Sequence, residues 1–177
     1  SLITTRQMGN RWQASEGPEI IYNAATDYYY LFVAYDALDT PYNTRVCRSR
    51  NINGPYLGID GVNLTQDGGE MLPVVTHPYK FNNSYGWVGI SHCAVFDDGN
   101  GNWYYASQGR FPQNVEGNAY SNALMMGHVR SIRWDSQGWP VVMPERYGAV
   151  PQIAITEEEL VGNWEHIDLS YSYGKQK

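Results

Sequence analysis

The side chains best suited to chemistry in this sequence are one carboxylate near the amino-terminal end and one imidazole near the middle. Glu16 is followed by Gly17 and Pro18, a pair that bends the chain, and then by an apolar stretch. A carboxyl group beside apolar neighbours can transfer protons as a general acid, but an ordinary turn carboxylate has the same local sequence. His92 lies inside the apolar run 90–96, where a core histidine with satisfied nitrogens is the common role. From the residues alone, both alternatives stay open at both positions.

The remaining thiols and imidazoles show no spacing typical of a metal or nucleophile site. Cys47 and Cys93 form no CxxC pair and no zinc-type pattern. We predict that both are free buried thiols, because Cys is among the most buried residue types. We interpret His128 as a strand residue, and His77 and His166 as surface residues.

The composition restricts the classes of partner. The 177 residues are 42% hydrophobic and carry a formal net charge of −6, with 15 Tyr and 6 Trp. A surface of this charge would repel phosphate backbones, so we expect no nucleic-acid partner. No apolar run approaches 18 residues, which argues against a membrane-spanning helix, and no signal-peptide pattern opens the chain. Many aromatic residues and few lysines favour a protein that handles neutral polymers such as sugars.

The elements that must position these residues are predicted to be strands. Turn-forming clusters separate short β-branched and aromatic runs, which is typical of an all-β protein. Two stretches repeat one order of four segments, at residues 19–22, 28–35, 44–50 and 54–57, and at residues 91–96, 103–107, 124–134 and 138–142. Residues 28–35 are apolar at consecutive positions, which requires cover on both faces. Stacked four-stranded sheets of this kind form β-propeller blades, whereas a β-sandwich would leave one face of most strands wet.

The length fits an incomplete propeller. We predict that residues 1–150 form its C-terminal blades, about two to three in number, and that residues 151–177 are a linker or the start of a following β domain. Closed propellers have four to eight blades, so we expect unpaired strand edges and an uncovered blade face. We expect an upstream propeller segment, a companion chain or self-association to cover them.

Four segments follow a family pattern in order. They are ASEGPEIIY at 14–22 with YYYLFVAYD at 28–36, RVCRS at 45–49 with INGPY at 52–56, GISHCAVF at 89–96, and WDSQGWPVV at 134–142 with PERY at 144–147. Together they span about three quarters of the chain and resemble the glycoside hydrolase family 43 arabinanases.

The resemblance implies a fold and a reaction. It implies a five-bladed propeller that hydrolyses α-1,5-linked L-arabinan with inversion of configuration, by endo or exo attack. Of the three carboxylates that such an enzyme uses, only the general acid falls in the matched part, at Glu16. The two Asp positions, one of them the general base, would lie upstream of Ser1. Secretion to an extracellular or periplasmic location is implied as well.

The resemblance also implies further site residues. His92 would face the central channel and help to hold a calcium ion, often through waters, although Ca²⁺ prefers oxygen ligands. Arg110 would bind sugar hydroxyls or orient the acid, with a structural salt bridge as the alternative. Trp12 and Trp87 are expected to line the groove, with buried core positions as the alternative. A non-catalytic carbohydrate-binding or interaction module made of orphan blades, or a member specific for another pentose polymer, would carry many of the same residues.

Overall fold

Two four-stranded antiparallel sheets dominate the computed structural model, which describes residues 2–4, 15–38, 41–65, 71–80, 85–112, 115, 117, 124–148, 156–164 and 166. The first sheet, here called the first blade, has the order β1-β2-β3-β4, and the second blade has the order β5-β6-β7-β8. The strands of the first blade are β1 (Ser15–Asn23), β2 (Tyr28–Tyr35), β3 (Asn43–Ser49) and β4 (Val74–Thr76). Those of the second are β5 (Ala94–Asp97), β6 (Trp103–Gly109), β7 (Met126–Trp134) and β8 (Pro140–Val142). The prediction of two four-stranded units is confirmed.

Helix is nearly absent from the part of the chain that the structure describes. One 3₁₀ turn, Glu158–Leu160, is the helical element there, and the described residues contain no helix of a length and apolarity that would cross a membrane. The predicted boundary at residue 150 falls on residues 149–155, outside the described residues, so the division into 1–150 and 151–177 stays a prediction.

The fourth strand of the first blade differs from the prediction. Residues 54–57 were expected there, but β4 is Val74–Thr76, and Leu57 makes only isolated bridges, to Arg48 and to Asn63. Pro55 has no backbone N–H to donate to a ladder, which suits residues 54–57 to a turn. A segment that begins 25 positions after the end of β3 therefore completes the sheet.

The two blades pack face to face through one apolar cluster. Tyr30, Phe32 and Val46 from the first blade meet Val95 and Ile132 from the second, within a cluster that also includes Val75, Ile90, Cys93, Tyr105, Trp139 and Val142. The opposite face of β2 is apolar too, since Leu31, Val33 and Tyr35 pack with Cys47, Tyr56, Leu64 and Met71. Both faces of β2 are covered, as its unbroken apolar run predicted.

A buried hydroxyl network joins the blades beside this cluster. The Thr44 Oγ1 atom lies 2.7 Å from both the Ser91 Oγ atom and the Tyr105 hydroxyl. The Thr76 hydroxyl donates to the Ile90 carbonyl at 2.8 Å, and the Ser91 hydroxyl donates to the Asn43 carbonyl at 2.9 Å. Buried polar groups are costly unless they are paired, so this network fixes one relative placement of the two blades.

Candidate active site

Glu16 lies at the start of β1, where the strand meets the second blade. It pairs with Ala34 of β2, and the register then shifts before Glu19. Gly17 has φ +56° within this bulge, and a Cβ atom there would lie 2.9 Å from Cδ2 of His92. Only glycine combines that backbone conformation with so close an approach. The bend predicted at Gly17 and Pro18 is confirmed, and it brings β1 against the His92 ring.

His92 precedes β5 instead of lying on it, which corrects the placement expected from the apolar run. Its backbone has φ +57°, a left-handed conformation that few non-glycine residues adopt and that clusters at functional sites. The conformation turns the ring out of the core, and the side chain is 55% exposed. The alternative of a buried core histidine is therefore wrong.

The structure brings Glu16 and His92 together around a third residue, Tyr42. The Tyr42 hydroxyl donates a hydrogen bond to Oε1 of Glu16. His92 Nδ1 lies 3.2 Å from the same hydroxyl and 3.7 Å from Glu16 Oε1. The hydroxyl oxygen can accept from Nδ1 when that nitrogen carries the ring proton.

Tyr42 is fully buried, whereas the Glu16 carboxylate that it holds is 55% exposed. Burial, and secondly the hydrogen bond to Glu16, raises the pKa of Tyr42 well above its ordinary value. The hydroxyl therefore stays protonated at neutral pH and keeps donating its hydrogen bond to Glu16. The arrangement fixes one oxygen of a carboxyl group and leaves the group open to a ligand.

Tyr42 was missed by the sequence analysis, and the sequence offers little signal for it. It is one of 15 tyrosines and stands in a loop immediately before β3. Its role depends on a hydrogen bond across 26 positions to Glu16 and a contact across 50 positions to His92.

Arg110 follows β6 directly and is 2% exposed. Its Nη2 atom donates to the Leu38 carbonyl at 2.6 Å, and its backbone pairs with Val88. A Cβ atom on Gly89 would lie 2.8 Å from Nη1 of Arg110. The side chain supports the loop that follows β2, and its sugar-binding role stays a prediction.

Trp87 packs within an aromatic group on the second blade. Its ring stacks on Phe111 with centroids 4.6 Å apart, and the His128 ring meets it edge-on at 4.3 Å. The Arg146 guanidinium lies 5.0 Å from the same ring. The expectation that Trp87 lines a sugar groove is not tested by these contacts, and Trp12 lies outside the described residues.

The predicted burial is confirmed for both cysteines, whereas the predicted surface position of His77 is wrong. Cys47 and Cys93 are free and buried, as predicted. His77 was expected at the surface, but it is buried, and its Nδ1 lies 2.6 Å from the Pro78 carbonyl oxygen. Among the described residues, no three His, Cys, Asp or Glu side chains form a group that could hold a metal ion.

Comparison with known proteins gives one consistent family. The sequence model described as glycosyl hydrolases family 43 matches residues 2–140. An extracellular endo-α-(1→5)-L-arabinanase of Thermotoga petrophila is 30% identical over 179 residues, which cover 92% of this chain and 36% of the relative. This chain thus spans about a third of that relative's length.

Solved structures of arabinanases share the fold of this chain over about a third of their own length. The crystal structure of endo-1,5-α-L-arabinanase from Thermotoga petrophila RKU-1 has a TM-score of 0.73 at 29% identity, covering 85% of this chain and 35% of that one. The Cellvibrio cellulosa α-L-arabinanase in complex with arabinohexaose has a TM-score of 0.55 at 28% identity, covering 73% and 36%. The all-β, partial-propeller prediction is confirmed. The chain belongs to glycosyl hydrolases family 43.

Proposed function

We propose that this chain supplies the general acid of an arabinan-hydrolysing active site, and that the acid is Glu16. The observation that carries the proposal is the half-exposed Glu16 carboxyl group, held on one oxygen by the buried Tyr42 hydroxyl. A general acid must present its proton in a fixed direction to a ligand that reaches it from solvent. Glu16 meets both requirements, and the arabinanase relatives support the choice of substrate.

The proposed reaction is a single displacement at the anomeric carbon of an α-1,5-linked arabinosyl unit. Glu16 in its acid form gives its proton to the glycosidic oxygen as the bond from that oxygen to the anomeric carbon breaks. A water molecule attacks the opposite face and loses its proton to a second carboxylate, so that configuration inverts. In inverting enzymes these two carboxyl groups lie about 6.5–9.5 Å apart, and in this proposal the general base comes from outside the 177 residues.

The proposed setting is an extracellular enzyme with further blades. The Thermotoga relative is named as extracellular, and the matched share of its chain leaves room for blades that this sequence does not contain. An upstream propeller segment, or association with another chain or copy, would supply the general base. Whether attack is endo or exo depends on the loops over the groove.

Calcium at His92 is a separate proposal. Ca²⁺ takes six to eight oxygen ligands, and the described residues around His92 form no cluster of three potential metal ligands. A Ca²⁺ ion near this imidazole would take its oxygens from water and from other segments. Calcium titration of the protein by calorimetry, with His92→Ala as the comparison, tests this without reference to activity.

The decisive test of the function is hydrolysis. The chain is incubated with linear arabinan, alone and together with the upstream segment, and released reducing sugar is measured. We expect activity only with the companion segment, reduced about 10²- to 10⁴-fold in Glu16→Gln because general acid catalysis contributes that much. His166→Gln, a change in the C-terminal part of the chain, serves as the control and should retain activity.

Two outcomes would overturn the proposal. If Glu16→Gln left turnover intact in the complete protein, the assignment of the acid would be wrong. If the complete protein bound arabinan without cleaving it, the alternative of a non-catalytic carbohydrate-binding module would replace the enzyme. Preferential cleavage of xylan oligomers would change the substrate while retaining the acid.

A further inference from the structure

A cavity of about 410 Å³ opens where the two blades meet, away from Glu16. Tyr28 and Arg48 of the first blade and Gln137 and Trp139 of the second contribute to its wall. Glu16 pairs with Ala34, six residues along β2 from Tyr28, and at 3.3 Å per residue this places the cavity about 20 Å from Glu16. The cavity is therefore distinct from the candidate active site.

The guanidinium of Arg48 lies between two aromatic rings in this cavity. Its Cζ atom lies 4.1 Å from the Tyr28 ring centroid and 4.0 Å from the Trp139 ring centroid. Its Nη1 atom donates to the Gln137 carbonyl at 2.7 Å. These contacts remove rotamer freedom from the side chain before any ligand arrives, which lowers the entropic cost of binding.

Arg48 also lacks a balancing carboxylate among the residues that the structure describes. The neighbouring Arg50 lies 3.7 Å from the Tyr28 ring centroid and pairs with Asp27 at 2.9 Å. The cavity wall itself contains Arg48 and Arg50 and no acidic residue, and Asp27 pairs with Arg50, so the wall keeps a net positive charge. Arg carries five N–H donors in a planar fork that matches a carboxylate.

The aromatic rings are not free to serve as sugar platforms. Both arginines lie over Tyr28, and Trp139 is 5% exposed with Arg48 against it. A neutral sugar that binds by stacking would need an uncovered ring. The apolar wall comes from Leu57 and Ile59, which are 39% and 47% exposed, and this wall can take the C–H surface of a sugar ring whose charged group meets Arg48.

We propose that this cavity binds a carboxylate-bearing sugar residue, a uronate. It would be a second carbohydrate-binding site, separate from the candidate active site at Glu16. The proposal rests on the proposed function for its choice of a sugar over other carboxylates. The carboxylate accepts hydrogen bonds from Arg48 and is attracted by Arg50, while the ring packs on Leu57 and Ile59. Such a site would hold acidic polysaccharide about 20 Å from the site of cleavage.

The test is calorimetric binding of the protein to three probes: an oligogalacturonate, its fully methyl-esterified form, and inorganic phosphate. We expect the acid oligomer to bind, the neutral ester to bind at least tenfold more weakly, and phosphate to bind more weakly than the acid oligomer. Loss of a charge-assisted hydrogen bond corresponds to about a tenfold loss of affinity or more. Arg48→Met, which keeps an apolar stem between the rings, should show that loss.

Two further variants keep the test independent of folding. Arg50→Gln changes an exposed side chain and should weaken binding of the acid oligomer severalfold, because the electrostatic attraction between protein and ligand falls. Arg133→Gln removes the same charge from an exposed position outside the cavity and should leave affinity unchanged. Equal binding of acid and ester, or equal loss in Arg50→Gln and Arg133→Gln, would overturn the proposal. Equal affinity for phosphate would reduce the cavity to a general anion site and would overturn the uronate assignment. Because the measurement is binding, its failure leaves the hydrolysis proposal untouched.

Discussion

The two blades share a strand order but differ in how their faces are covered. In the first blade, β2 is buried on both faces, by the second blade on one side and by residues from the 56–71 segment on the other. In the second blade, β7 alternates between buried and exposed side chains. Among the described residues, the outer face of the second blade exposes Phe96, Val129 and Val141.

The difference shows how far sequence periodicity reports on tertiary packing. An unbroken apolar run requires cover from two directions, whereas alternation is satisfied by one packed face. The outer face of the second blade nevertheless carries exposed apolar side chains, which are more common at interaction surfaces than as a contiguous solvent face. A face that is buried in solution and a face that is only apolar differ in what a large-to-small substitution costs.

The largest expected difference is between two phenylalanines, one on each blade. Phe32 is fully buried between the blades, and Phe96 is 45% exposed on the outer face. We expect Phe32→Ala to lower the free energy of unfolding by about 3–5 kcal/mol, because it removes buried surface and leaves a cavity. We expect Phe96→Ala to change it by less than about 1 kcal/mol. Denaturant unfolding followed by circular dichroism measures both, and equal losses would show that the outer face is covered in solution.

The next effect concerns pH and the inner face of the second blade. Burial, followed by the charges of Arg130 and Arg146, lowers the pKa of His128 to about 4, from about 6.5 in an unfolded chain. Below pH 6.5 the unfolded chain binds a proton that the folded chain does not. This contribution to stability is therefore complete above about pH 6.5 and is lost as pH falls toward 4.

The expected size of that loss is on the order of 2–3 kcal/mol. Unfolding free energies measured from pH 7 to pH 4 should fall less steeply in His128→Gln than in the unchanged protein. Parallel pH profiles would mean that His128 is protonated equally in both states.

A smaller effect is expected from the hydroxyl network between the blades. Tyr105→Phe removes one hydrogen-bond partner from each of the Thr44 and Thr76 hydroxyl groups and should cost about 1–2 kcal/mol. Tyr104→Phe, on the neighbouring outward-facing position, is the matched control and should change stability by about 0.5 kcal/mol or less. If the two variants were equally stable, the network would not be what fixes the blades together.

The smallest effect is a difference in thiol protection. Burial raises the pKa of Cys93 to about 12 and raises that of Cys47 further still, so neither should react with a disulfide reagent in native conditions. In denaturant below the unfolding transition, we expect Cys93 to react first. Cys93 is buried in the apolar cluster between the blades, which is exposed when the blades separate, whereas Cys47 is buried in the cluster around β2. Equal reaction rates would show that the two blades open as one unit.

Much of the architecture could be predicted from local sequence. Strand and turn composition predicted the all-β class, and the consecutive apolar residues of β2 predicted cover on both faces. The repeat of four segments predicted two blades, and the Glu16-Gly17-Pro18 order predicted a bend at the start of β1. These features depend on neighbours within a few positions, where side-chain period and turn chemistry act directly.

Other features required the tertiary structure because they arise from contacts between distant segments. The three residues of β4 are too few to show a period, and their place was decided by pairing with β3. The left-handed backbone of His92, the buried guanidinium of Arg110 and the Tyr42 hydroxyl on Glu16 depend on packing between the blades. A sequence pattern indicates which residues favour burial and which favour turns. Non-local packing between distant segments decides which side chains come into contact.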